Sequence, residues 1–112
     1  MRYALLIAGD ENVVNTADDD GLTPEYAEFM KTVAERGVLQ GGERLRPTAD
    51  ATTVRVREGE TLATDGPFAE SKEQLAGFFL VDCKDLDDAI DVASRIPGAK
   101  DGSIEVRPIW EM

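Results

Sequence analysis

Leu75-Ala76-Gly77-Phe78-Phe79-Leu80-Val81 is apolar at odd and even positions alike. A strand with one wet face alternates, so a run without alternation reads as a strand covered on both faces. Tyr3-Ala4-Leu5-Leu6-Ile7-Ala8 has the same character, which gives the chain two central strands. Between them, Thr23-Pro24 reads as a helix start, with Thr23 as N-cap and Pro24 where its missing N–H is no loss. Tyr26, Phe29, Met30, Val33 and Ala34 then recur at helical spacing, and Gly37 ends the helix. Val38 to Leu45 reads as another strand, its Gly41-Gly42 pair marking a bulge or a close backbone approach, with Pro47 beyond it. Asp85 caps a second helix running to about Arg95, with Leu86, Ala89, Ile90 and Ala93 inward. A last strand around Ile104, Val106 and Pro108 belongs at an edge or terminus, because proline cannot donate to a ladder.

Thr52-Thr53-Val54-Arg55-Val56-Arg57 alternates, turns at Glu58-Gly59-Glu60 and returns through Thr61 to Thr64, a peripheral hairpin with one polar face. The order strand, helix, strand, hairpin, strand, helix, strand is an α+β, ferredoxin-like βαββαβ pattern with an inserted β-hairpin. One domain spans residues 1–112. Two helices cover only one face of a four-stranded sheet, yet both central strands are apolar on both faces. The economical partner for the open face is a second copy, so the pattern predicts a homodimer with a small-molecule cavity between sheet and helices or at the dimer seam.

Composition narrows the function classes. Lys and Arg number 12 against 23 Asp and Glu, a net charge of −11, which argues against nucleic acid or an anionic membrane as partner. Cys83 is the single cysteine and there is no histidine. Intramolecular disulfides, thiolate metal clusters and the commonest general base are therefore excluded, and a reducing cytoplasm is the expected compartment. No motif calls for a metal or any other cofactor. The acidic stretch from Asp10 to Gly21, with its Asp18-Asp19-Asp20 run, reads as a solvated loop: aligning Gly21 to the invariant glycine of a calcium loop puts Ala27 where a carboxylate is needed.

The densest stretch joins the hairpin to the second central strand. Asp65-Gly66-Pro67-Phe68-Ala69-Glu70-Ser71-Lys72-Glu73 closely resembles the signature of the DGPF-domain branch of the YCII-related family. Arg2-Tyr3, Gly41-Gly42-Glu43, Thr52 to Arg55, Gly77 to Leu80, Asp85 to Ala89, Ile96-Pro97 and Glu105 to Pro108 fit the same pattern, so the resemblance covers nearly the whole chain. It implies the dimeric α/β-barrel superfamily, and, because members are often encoded beside extracytoplasmic-function sigma factors, a regulatory setting. The wider family is thought to use a His-Asp pair, and a few relatives remove chloride from chlorinated rings. A chain without histidine lacks that pair.

The candidate residues follow. Asp65 either accepts backbone N–H groups that fix the turn or serves as general base or ligand acceptor. Glu70 is the second candidate for acid/base catalysis. Phe68 reads as a core anchor or a pocket wall, and Lys72 and Glu73 as a charged rim. Arg44 and Arg46 offer a bidentate fork to a carboxylate, or pair within the chain. Cys83 reads as a small core residue, and Tyr3 and Trp110 as core or dimer-interface packing. Function is thus expected to be small-molecule binding by a homodimer, with carboxylate acid/base catalysis beside the loop. The alternative is a non-catalytic regulatory or interaction module in a sigma-factor system.

Overall fold

The computed structural model describes residues 1–11 and 23–111. The expected loop from Asp10 to Gly21, with its aspartate run, falls almost entirely outside them. Strands β1 (Arg2–Gly9), β2 (Leu39–Arg44), β3 (Thr52–Arg57), β4 (Glu60–Asp65), β5 (Gln74–Asp82) and β6 (Ser103–Pro108) accompany helices α1 (Pro24–Arg36) and α2 (Leu86–Ser94). Four strands form one antiparallel sheet in the order β2-β5-β1-β6, and β3 and β4 form a separate two-stranded sheet. This is the ferredoxin-like α+β arrangement with the hairpin inserted between its second and third strands. Both non-alternating runs, in β1 and β5, occupy the centre, and Pro108 lies on edge strand β6.

Local signals explain the helix ends. The Thr23 hydroxyl accepts the Tyr26 N–H at 3.2 Å, and Asp85 accepts that of Asp88 at 2.9 Å. Gly37 closes α1 at φ 70, the left-handed conformation that lets its N–H reach back to Ala34 and Val33. The Glu58-Gly59 turn has positive φ at both residues, 51 and 79, as a two-residue hairpin loop requires. At Gly41-Gly42 both expected features occur: the register with β5 shifts between Leu39 and Gly41, and the backbones press together. A Cβ on Gly42 would sit 2.5 Å from the Phe78 carbonyl oxygen, and one on Gly77 would sit 2.8 Å from that of Glu43.

The core lies between the sheet and the helices. Tyr3, Leu5 and Val81 point into it from the strands, Phe29 and Val33 from α1, and Ala89, Val92 and Ala93 from α2. Cys83 and Ile96 complete it, as the small-core reading of Cys83 expects. Phe29 and Phe79 meet with ring centroids 5.3 Å apart and planes tilted by 55°, a favourable aromatic geometry. The inward face of α2 differs from expectation: Leu86 and Ile90 are about half exposed, and Ala34 of α1 is exposed. The buried line of α2 runs Ala89, Val92, Ala93, because small residues let that helix sit close to the sheet and leave its larger apolar side chains on the flanks.

An ion-pair cluster joins the two helices. Arg36 at the end of α1 donates to Asp88 at 2.6 Å and to Asp91 at 2.9 Å, and Arg95 donates to Asp91 at 3.2 Å. Hydrogen bonds from Arg95 and Arg36 hold the Asp91 carboxyl below its usual range. A depressed carboxylate contributes stability that is present above its unfolded value, near 3.9, and is lost as pH falls through the lower folded value. Asp91→Asn is therefore expected to lower the urea midpoint at pH 7, with its difference from the parent shrinking as pH falls from the unfolded value through the lower folded one, checked by urea titrations at pH 7 and across the acid range. Leu5→Ala, which empties the middle of the core, is expected to lose about 2–5 kcal/mol in the same assay.

Candidate functional site

Polar groups gather at one end of the four-stranded sheet. There β1 and β2 end, at Gly9 and Arg44, while β5 and β6 begin, at Gln74 and Ser103. The loop from Gly66 to Glu73 enters the sheet at this end. Tyr26, in the first turn of α1, brings its hydroxyl here too, packed close to Gly98 and Ile7. Burial pushes the Tyr26 phenol above its ordinary pKa, while a backbone hydrogen bond at Gly98 and the nearby Arg44 charge pull it back. Glu73 accepts the Ser103 hydroxyl at 3.1 Å.

Glu11 contributes a clamp that sequence patterning did not single out. Its carboxylate accepts both the N–H and the hydroxyl of Thr48, each at 2.7 Å. Thr48 opens the short 3-10 turn Thr48–Asp50 that leads into β3. The clamp thus ties the end of β1 to the root of the hairpin, across 37 positions of sequence, a separation at which no local spacing carries a signal. Beside it, Arg46 pairs with Asp50 at 2.9 Å, the intramolecular alternative foreseen for that arginine.

The loop of Asp65 to Glu73 is braced by hydrogen bonds to its backbone groups. The Gly66 N–H donates to the Ala51 carbonyl at 2.8 Å, and the Thr53 hydroxyl to the Gly66 carbonyl at 2.8 Å. Gly66 adopts φ 101, which an L side chain rarely tolerates. The Gln74 amide donates to the carbonyls of Ala69 and Ser71 at 2.9 and 3.2 Å, and the Ser71 hydroxyl to that of Glu73 at 2.5 Å. These contacts correct one reading of Asp65: its carboxylate accepts no hydrogen bond among the described residues, and backbone groups with Thr53 and Gln74 shape the turn instead.

Asp65, Glu70, Lys72 and Glu73 are all exposed. Phe68 is 82 % exposed, which corrects its reading as a core anchor: the ring touches no core because Pro67 and the braced turn aim it outward. Trp110, 90 % exposed, is likewise outside the core, whereas Tyr3 is inside it. The structure therefore brings Arg44, Glu73, Tyr26 and Glu11 to one sheet end and leaves Asp65, Phe68, Glu70 and Lys72 on an arm beside it. A shallow groove of about 320 Å³ lies elsewhere, between α1 and the Pro97–Ala99 turn, lined by Glu25, Phe29, Arg95, Ile96 and Lys100. It holds none of the loop residues, and Lys100 is paired with Glu25 across it. The convergence of polar groups at the sheet end is the better guide to chemistry, since the groove has an apolar floor and a self-neutralised rim.

Three or more metal-ligating side chains converge nowhere among the described residues. Cys83 is buried, and burial together with Asp88 pushes its thiol above the ordinary value, the opposite of what a nucleophile needs. Among the described residues no helix is long and apolar enough to cross a membrane.

A family model described as the YCII-related domain matches residues 1–112. The chain belongs to the YCII-related family. This YCII-related protein is 42 % identical to an uncharacterized protein of Rhizobium meliloti (strain 1021), over 97 % of its own length and 92 % of the relative's.

The clamp at Thr48 is open to direct measurement. Glu11→Ala removes a charge-assisted acceptor of two donors, an interaction of about 1.5–3 kcal/mol. The Thr48 amide is expected to exchange with solvent at least about tenfold faster in the variant, read residue by residue by NMR hydrogen exchange, while amides of β1 and β5 keep their protection.

Proposed function

We propose that this YCII-related protein is a cytoplasmic homodimer that binds a small organic molecule at the sheet end beside the Asp65 loop, with Asp65 or Glu70 as the proton-transferring group. The observation that carries the reading is the convergence of Arg44, Tyr26 and Glu73 where the loop enters the sheet. Arg44 offers a charged fork suited to a carboxylate, Tyr26 a half-buried hydroxyl, and Phe79 and Ile7 an apolar wall behind it. The ligand class that matches is a small carboxylic acid with an apolar or aromatic body. Acid/base work at Asp65 requires the ligand or a second subunit to take its exposed carboxylate out of water.

A second reading rests on the exposure of the arm. Phe68, Val54 and Val56 face solvent, which suits a non-catalytic interaction module of the regulatory kind that the sigma-factor setting implies. The two readings separate in one experiment. Thermal melts of the parent, Asp65→Asn and Arg44→Ala are recorded against a panel of small aromatic and aliphatic carboxylic acids. A ligand at one hundred times its Kd stabilises by about 2.7 kcal/mol. The expected result is a compound that raises the parent's midpoint, does so far less in Arg44→Ala, and is turned over only when Asp65 is present. Equal response and turnover in Asp65→Asn would remove Asp65 from the mechanism, and flat melts throughout would favour the interaction module.

A further inference from the structure

The arm carries exposed apolar side chains and has no floor among the described residues. Every residue of β4 is exposed, as are all of β3 except Thr53. Val54 and Val56 share the face that also carries Ala63, by the register of the hairpin, and they are about 60 % exposed. Phe68 stands on a loop whose backbone is held at five points by Ala51, Thr53, Ser71 and Gln74. A loop so braced is poised to present its aromatic, not to fold it back. The molecule is also stretched: its radius of gyration is 15.6 Å with extents of 47 × 39 × 20 Å, against about 13 Å for a compact chain of this size.

The complementary surface is the sheet face that the helices leave open. Ala4, Leu6, Phe78 and Leu80 lie across it in register, Ala4 opposite Leu80 and Leu6 opposite Phe78, each partly exposed. Phe68, Val54 and Val56 are 82 %, 61 % and 59 % exposed, and together with the open face they supply apolar area toward the ~800 Å² per partner of a stable interface. Arm and open face occur once on each copy, so a two-fold axis satisfies both pairs at once and closes the assembly.

We infer that the arm works in trans: two copies pack through their open sheet faces, and the Asp65–Glu73 loop of each closes over the other, seating Phe68 on the second copy and carrying Asp65 to that copy's sheet end. The inference rests on the homodimer proposed above but not on its ligand. It supplies what the described residues of one copy do not, a surface that removes Asp65 and Phe68 from water, and it makes the site incomplete without the second copy.

The test uses the full-length protein. Position 68 is replaced by the photo-crosslinking residue p-benzoylphenylalanine, the variant is mixed and re-equilibrated with an isotopically heavy parent chain, and the irradiated mixture is digested for mass spectrometry. The expected products join the light residue-68 peptide to heavy peptides from the second copy's β1 or β5. In parallel, Phe68→Ser is expected to weaken the dimer at least tenfold by sedimentation equilibrium while circular dichroism shows the fold intact, since the ring supports nothing in its own chain. A dimer whose cross-links stay within the light chain overturns the inference and leaves the homodimer standing. A monomeric parent overturns both.

Discussion

Two helices, of 13 and nine residues, cover one face of a four-stranded sheet whose two central strands are apolar on both. That asymmetry organises the molecule. The covered face holds Tyr3, Leu5 and Val81 at near-zero exposure, where each large apolar side chain contributes about 1.5–3 kcal/mol on leaving water. The open face carries Leu6, Phe78 and Leu80, each partly exposed. A strand alternates its side chains strictly, so neither set can be made polar by a small shift in register without exposing the other. The sheet is thus committed to two apolar surfaces while its own helices satisfy one.

Close backbone approach decides where the polar groups can gather. Gly42 and Gly77 let β2 and β5 press together at the end where the loop enters, and this positions Arg44 near Tyr26 of α1. On the other flank, the Glu11 clamp fixes the root of the hairpin to the end of β1. The arm is therefore anchored at its base on both sides, through Thr48 on one and Gln74 on the other, while its tip and its aromatic remain in solvent. Rigid anchoring with a free apolar end is the arrangement that lowers the entropic penalty of binding, because the loop is already ordered before any surface meets it.

Much of this fold was legible because its signals are local. The Thr23-Pro24 start, the Asp85 cap, Gly37 in the left-handed region and the Glu58-Gly59 turn each act within a few residues, and each formed as read. The non-alternating runs located the central strands for the same reason: burial on both faces leaves its mark on every position. Three things were not legible. Leu86 and Ile90 of α2 flank the core instead of entering it, since the angle at which a helix meets a sheet depends on the small residues Ala89 and Ala93 packing against distant strands. Glu11 and Thr48 join across a separation that no spacing rule reaches. Phe68 reads as core by hydropathy alone, yet whether an aromatic in a loop is buried depends on a surface that the turn beneath it selects.

The same logic bears on the chemistry of the site. The carboxylates of Asp65, Glu70 and Glu73 on the loop all stand exposed to water. Tyr26 stands where helix and sheet already exclude part of the solvent, as its raised pKa records, with the exposed Arg44 charge close by. Under the ligand-binding reading proposed above, recognition would rest on groups built into the chain and proton transfer on the arm. Desolvation is what would join them, because burial raises a carboxylate's pKa toward neutrality and strengthens its attraction to a fixed cation in the same step. The open sheet face and the exposed arm are then two aspects of one requirement: a chain that keeps its catalytic candidates outside its own core depends on what packs against it to make them reactive.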